Sequence, residues 1–93
     1  MDKEKFKKDA KKSIDEIFVK IDKLEAKKDK VKGNAKAEYE EKLSKLKSKK
    51  KSLQEKYNDL ADASDEKWDE VKNAFSSAKD SFKDGFKEIA SLF

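Results

Sequence analysis

The last third of the chain, residues 68–92, reads WDEVKNAFSSAKDSFKDGFKEIASL and decides the fold. Its small and apolar residues follow one another in steps of three and four, the spacing of one face of an α-helix. Phe86 lies beside this stripe and widens it. The stripe itself consists of Trp68, Val71, Phe75, Ala78, Phe82, Gly85, Ile89 and Leu92. A repeat sustained over this length predicts a helix that packs in a left-handed coiled coil.

Two earlier segments carry the same pattern. The first, widened by Phe18, contains Phe6, Ala10, Ile14, Ile17, Ile21, Leu24 and Val31. The second, in which Lys50 stands where an apolar residue is due, contains Ala35, Tyr39, Leu43, Leu46, Leu53, Tyr57 and Leu60. The larger side chains of all three stripes are the predicted core and interface residues. The sequence therefore predicts an all-α fold, an antiparallel helical coiled coil or small helical bundle that forms a single domain over residues 1–93.

The composition is unusually charged for a folded protein. Charged residues make up 49% of the chain and hydrophobic residues 34%, values that also occur in disordered segments. The 25 basic and 21 acidic residues are interspersed, however, so that the net charge is only +4. Proline is absent and glycine occurs twice, so the residues that interrupt helices are scarce. The regular spacing of the apolar residues favours a folded helical protein over a disordered one.

A turn is predicted between the second and third segments, at residues 62–64. Ser64 can cap the free amides of a new helix, and the acidic residues that follow it suit a helix N-terminus. The helix from about Asp65 to Leu92 then folds back on residues 35–60. The predicted facing pairs are Leu60 with Trp68, Leu53 with Phe75, Leu46 with Phe82, Tyr39 with Ile89, and Lys50 with Ala78.

The junction at Gly33 supports two interpretations. Lysines followed by a glycine are typical of a helix C-terminus, and Asn34 can cap the N-terminus of a new helix. The apolar stripe nevertheless continues in phase from Val31 to Ala35, and a glycine inside a helix costs only about 1 kcal/mol. We slightly favour one long helix over the first sixty residues. The apolar stripe between Phe6 and Leu24 would then need a second chain, which predicts a homodimer, whereas a turn at Gly33 predicts a three-helix monomer.

No residue pattern indicates catalysis or metal binding. Cysteine and histidine are both absent, which excludes thiolate chemistry and the commonest general base. Neighbouring carboxylates have no apolar surroundings that would shift their pKa values, and no calcium-binding loop is present. These carboxylate pairs are Asp15 with Glu16, Glu40 with Glu41, and Asp69 with Glu70. We expect no catalytic, cofactor-binding or metal-binding residues, and no small-molecule substrate.

Two other kinds of partner compete with helix association. The densest basic run, which could follow a phosphate backbone, is Lys45, Lys47, Lys49, Lys50 and Lys51. Arginine is absent and Glu41 and Glu55 flank this run, so nucleic-acid binding is not favoured. The aromatic stripe of the third segment could lie on a membrane surface, but its polar face is net acidic. The charged N-terminal residues lack the apolar run of a secretory signal, which predicts a cytoplasmic location.

Three stretches together resemble a family of small bacterial coiled-coil proteins that are catalogued as stress-response or hypothetical proteins. They are IDKLEAK at residues 21–27, AKAEYE at 35–40 and ASDEKWDEVK at 63–72. Tyr39 and Trp68 are the most distinctive points of the resemblance, and Gly33 departs from the helix former usual in that family. The resemblance implies a cytoplasmic bacterial protein linked to stress. The sequence thus predicts a non-enzymatic structural or protein-interaction protein, with lipid-surface binding as the alternative.

Overall fold

The computed structural model describes residues 3–92, which form three helices; Met1, Asp2 and Phe93 lie outside this range. Helix α1 spans Lys3–Lys27, α2 spans Asn34–Ala61 and α3 spans Trp68–Ala90. A short 3-10 turn, Lys28–Lys30, follows α1, and no strand occurs among the described residues. The molecule is elongated, with extents of 51 × 18 × 17 Å. The predicted all-α helical bundle is confirmed.

The preference for one long helix is wrong, because α1 ends at Lys27 and the chain reverses before α2. Gly33 has a φ of 72°, a backbone conformation that other residues adopt only with strain. The apolar stripe continues with the same spacing through this reversal, so the spacing could not distinguish a straight helix from a turn. Turning back lets α1 bury Ile14 and Ile21 inside the same chain, which a continuous helix could not do. A homodimer is therefore no longer needed to bury this stripe.

Helix α2 is the central helix of the bundle. It packs against both α3 and α1, whereas α1 and α3 approach each other less closely. Contacts between Phe6 and Trp68 and between Lys20 and Phe86 show that α1 and α3 run in the same direction. Both are therefore antiparallel to α2, as two consecutive reversals require.

The three apolar stripes meet in one core. Its predicted members that are buried are Ile14, Ile17, Ile21, Tyr39, Leu43, Leu46, Leu53, Leu60, Trp68, Phe75, Phe82 and Ile89. Those that are half-buried against the core are Phe6, Phe18, Leu24, Tyr57, Val71 and Phe86. Ala10 and Val31 are also buried. Among the described residues no buried residue is charged, and no buried side-chain nitrogen or oxygen lacks a hydrogen-bond partner.

The start of α3 differs from the prediction. The helix begins at Trp68, and its N-cap position is Lys67, which makes no side-chain capping hydrogen bond. Ser64 instead accepts a backbone hydrogen bond from the Lys67 amide at 3.1 Å, within a turn that precedes the helix. Asp69 and Glu70 are the acidic residues of the first helical turn. Ser64 is therefore part of the connection and not the helix cap.

The pairing of α2 with α3 is close to the predicted one. Lys42 contacts Glu88 at 3.4 Å and Lys49 contacts Ser81 at 2.9 Å, each two residues further along α3 than predicted. The ammonium group of Lys50, the residue predicted to face Ala78, lies 5.0 Å from the centre of the Phe18 ring on α1.

Tyr39 is a buried residue of α2, and its hydroxyl group joins this helix to the C-terminus of α1. Its hydroxyl donates a hydrogen bond of 2.6 Å to the carbonyl of Leu24. Leu24 belongs to the last four residues of α1, whose carbonyls have no regular intrahelical partner. Burial, with a smaller contribution from the negative charge of Glu25, raises the pKa of Tyr39. The ring fills the core while the hydroxyl satisfies a helix terminus.

We expect Tyr39→Phe to lower the free energy of unfolding by about 1 kcal/mol, because it leaves the Leu24 carbonyl without its donor. Tyr57→Phe is the matched control: Tyr57 is half-buried, and its hydroxyl makes no hydrogen bond to residues 3–92. Urea unfolding monitored by circular dichroism measures both variants. Equal losses would show that the hydrogen bond contributes nothing.

Trp68→Ala should destabilise the bundle far more than Ser64→Ala. Truncating a buried tryptophan typically costs about 3–5 kcal/mol, and Trp68 is 5% exposed. Ser64 is exposed and does not cap α3, so its loss should fall below the roughly 1 kcal/mol typical of an N-cap. Thermal unfolding of the two variants compares them directly. Similar melting temperatures would contradict the packing of the first turn of α3.

Candidate interaction groove

Neighbouring carboxylates lie on the solvated faces of the helices. Asp15 accepts a hydrogen bond from Lys11 at 3.2 Å, and Glu70 forms an ion pair with Lys67 at 3.5 Å. Within residues 3–92 no group of three or more acidic side chains is arranged to hold a metal ion.

An aromatic cluster closes one end of the contact between α1 and α3. The Phe6 ring lies edge-on to Trp68, with centroids 5.7 Å apart, and also contacts Phe75 at 6.5 Å. Lysines cover the cluster: Lys3 lies 5.5 Å from the centre of the Trp68 ring, and Lys72 lies 5.4 Å from that of Phe6. An ammonium group above an aromatic ring is attracted electrostatically by the face of the ring. Here the two helices are firmly joined.

Further along, α1 and α3 are separated by a groove that is open to solvent. Its volume is about 600 Å³. It runs along α1 from Ser13 to Leu24 and along α3 from Lys79 to Ala90. Its apolar floor consists of Ile17, Leu24, Phe86, Ile89 and Ala90. We call it the α1–α3 groove.

The rim of the α1–α3 groove is net positive. Its charged side chains are four lysines, Lys20, Lys79, Lys83 and Lys87, and two carboxylates, Glu16 and Asp80. None of the four lysines forms an ion pair with another residue of the described chain. The ammonium group of Lys20 lies 5.0 Å from the centre of the Phe86 ring, across the groove. The groove therefore combines an apolar floor with a net positive rim, whose charge Glu16 and Asp80 compensate only in part.

The sequence indicated parts of this groove without locating it. Ile17 and Leu24 were predicted as core or interface residues, and Phe86 as the residue that widens the third stripe. The remaining signal is the spacing of Lys79, Lys83 and Lys87, four residues apart, which places them along one side of α3. What the pattern could not reveal is that α1 lies opposite this side, since that depends on the reversal at Gly33.

A second polar contact joins the end of α1 to α2. Glu25 accepts a hydrogen bond from Lys28 at 2.9 Å and another from Lys47 at 3.3 Å. These hydrogen bonds, the one from Lys28 first, lower the pKa of Glu25. Glu25 and Lys28 are half-buried, and both lysines pair with the one carboxylate of Glu25. We therefore assign this polar contact to holding α1 against α2.

The basic run of α2 is largely engaged within the chain. Lys45 pairs with Glu41 at 3.5 Å, Lys47 with Glu25, and Lys49 with the hydroxyl of Ser81. Lys50 lies over Phe18. A phosphate backbone would have to compete with these contacts. The structure thus adds no support for nucleic-acid binding.

The aromatic stripe of α3 faces the core. Trp68, Phe75 and Phe82 are each 5% exposed or less, and only Phe86 is half-buried beside them. In the part of the chain that is described, no helix combines the length and the apolar character needed to cross a bilayer.

Comparisons of the chain with protein-family models, with curated proteins and with solved structures find no match. The resemblance to small bacterial coiled-coil proteins therefore stays a prediction.

The pairing of Glu25 predicts a pH dependence of stability. Its pKa is lower in the folded chain than in the unfolded chain, so its contribution is present above the unfolded pKa and is lost as the pH falls through the folded pKa. We expect Glu25→Gln to reduce the free energy of unfolding at neutral pH and to have little effect in strong acid. Glu55→Gln is the control, because Glu55 is exposed and forms no ion pair in the described chain. An equal effect of Glu25→Gln at both pH values would contradict this role.

Proposed function

We propose that this chain is a non-enzymatic helical bundle with a structural or protein-interaction role, and that the α1–α3 groove is its binding surface. The observation that carries this proposal is the apolar floor of the groove, where half-buried Leu24 and Phe86 lie beside the more deeply buried Ile17 beneath a rim of lysines. A groove between two helices is a common docking surface for a third helix. The bundle provides the scaffold that holds the two walls.

Comparison of the groove with the rest of the described surface supports the same proposal. Among the described residues, Val19 is the exposed large hydrophobic side chain, with 51% of its surface accessible. Single exposed apolar residues are ordinary on soluble proteins, whereas contiguous apolar surface marks binding sites. In the groove, by comparison, half-buried apolar side chains of two helices, Leu24 and Phe86, line one concave surface.

Binding to a lipid surface is the second candidate function. Its supporting observation is that four lysines line the groove that contains Phe86, a combination of charge and aromatic surface also found in amphipathic helices that lie in a membrane interface. The groove is concave, however, and the larger aromatic residues of α3 are turned inwards, so that a flat membrane could reach them only by separating the helices. A link to bacterial stress and a cytoplasmic location stay predictions that rest on the sequence resemblance.

Flotation with anionic vesicles tests the protein-interaction role against the lipid role. We expect the folded wild-type chain to remain in the dense fraction at about 150 mM salt, where electrostatic attraction beyond about 8 Å is screened. Trp68→Ala is the positive control, since loosening α3 should expose its aromatic stripe and increase flotation. A wild-type chain that floats, with its helix content unchanged in circular dichroism, would assign the lipid role instead.

A further inference from the structure

We propose that the occupant of the α1–α3 groove is an amphipathic helix of another protein, with acidic residues beside its apolar stripe. The inference rests on the proposed function and specifies the class of partner. Three features of the groove carry it: its length and shape, the charge of its rim, and the lack of a matching surface on the chain itself.

The dimensions of the groove suit a helix. It extends over twelve residues of α1, from Ser13 to Leu24, which is about 18 Å at 1.5 Å per residue. The stretch of α3 from Lys79 to Ala90 has the same length and runs in the same direction. A bound helix would span about three turns and place apolar residues at positions i, i+3 or i+4, and i+7 on the floor. It would complete a four-helix arrangement with α2 on the opposite side.

The openness of the groove favours a helix over a small anionic molecule such as a fatty acid. Sites for small ligands usually enclose about 70–90% of the ligand surface. The α1–α3 groove is bounded by two helices and by the floor, and among the described residues the Lys20 side chain reaches across it to the Phe86 ring while the outer side is open to solvent. An acyl chain would keep much of its surface in water there. An amphipathic helix needs to cover only one face.

The charge of the rim indicates what flanks the apolar stripe of the partner. Lys79, Lys83 and Lys87 follow one wall, and Lys20 lies on the other. Glu16 and Asp80 compensate only part of this charge. Acidic residues beside the apolar stripe of a docked helix would lie next to these lysines, whereas lysines there would meet like charge. The rim thus selects partners by the sign of their charge.

A second copy of this chain does not fit the groove. Its three apolar stripes are used in its own core, and Val19 is the single large apolar side chain that the described surface exposes. One residue cannot provide anchors over three helical turns. A two-fold contact between two grooves would also bring lysines of one copy against lysines of the other. The occupant must therefore be a different chain that brings its own apolar stripe.

The test uses two fluorescein-labelled peptides of about 18 residues, long enough for the groove at 1.5 Å per residue. Both carry leucine at the a and d positions of the heptad, and the flanking positions are glutamate in one peptide and lysine in the other. Fluorescence anisotropy measures their binding to the full chain. We expect the glutamate-flanked peptide to bind at least about tenfold more tightly than the lysine-flanked peptide, since several rim charges change from attraction to repulsion.

A pair of matched variants locates the binding site. Lys83→Glu with Lys87→Glu reverses two rim charges, and both side chains are exposed on α3. Lys8→Glu with Lys12→Glu makes the same change of charge with the same spacing, at exposed positions of α1 outside the groove. The first double variant should weaken the glutamate-flanked peptide by about tenfold and improve the lysine-flanked one. The second should leave the preference for the glutamate-flanked peptide in place.

The other outcomes overturn the proposal in different ways. If neither peptide binds, or if both bind equally, the partner is not an acidic amphipathic helix, while a wild-type chain that does not float with vesicles keeps its proposed protein-interaction role. If both double variants lose binding equally, the interaction reflects net charge and not the groove. If the chain floats with anionic vesicles and the Lys83→Glu, Lys87→Glu variant does not, the groove binds lipid and both proposals fail.

Discussion

The apolar stripe of α1 must be covered, and the way in which it is covered determines the rest of the structure. Leaving Ile14 and Ile21 in water would forgo the largest favourable term in folding, about 25 cal/mol for each Å² of apolar surface. The chain covers them by reversing at Gly33 and packing α1 on α2. Because a second reversal follows after α2, α1 and α3 run in the same direction on the two sides of the central helix. The groove between them is a consequence of this order.

The fold could be predicted from the sequence because local and long-range signals agree. The steps of three and four between apolar residues specify helices, and the facing stripes specify which surfaces meet. Residues such as Leu53, Phe75 and Ile21 are buried for the reason that the pattern gives. The reversal at Gly33 could not be predicted in this way. A stripe that continues in phase is compatible with a straight helix and with a turn, and the choice depends on the burial of α1, which is a property of the whole molecule.

The candidate site was less predictable than the fold. Helix patterns reveal which residues avoid water, but the groove is formed by residues that are only partly covered, such as Leu24 and Phe86. Whether a half-buried residue is an edge of the core or the floor of a binding surface depends on the distance between two helices that are far apart in sequence. Ser64 shows the same limit on a smaller scale. Its residue type suits a helix cap, yet the turn that holds Lys67 and Trp68 moves the helix start beyond it.

Gly33 also influences whether α1 packs within its own chain or against a second copy of the chain. Since the stripes of α1 and α2 share one phase, straightening the chain at this residue would join them into a single rod of apolar surface. Helix α1 would then reach past its own α2 and α3 and could occupy the equivalent place in a neighbouring molecule, which is the geometry of domain swapping. A Cβ atom at Gly33 would meet no other atom within 4 Å, so its positive φ, and not crowding, is what other residues resist. The extended backbone of Val31 and the positive φ of Gly33 thus separate a chain that packs α1 on its own α2 from one that would exchange α1 with a copy.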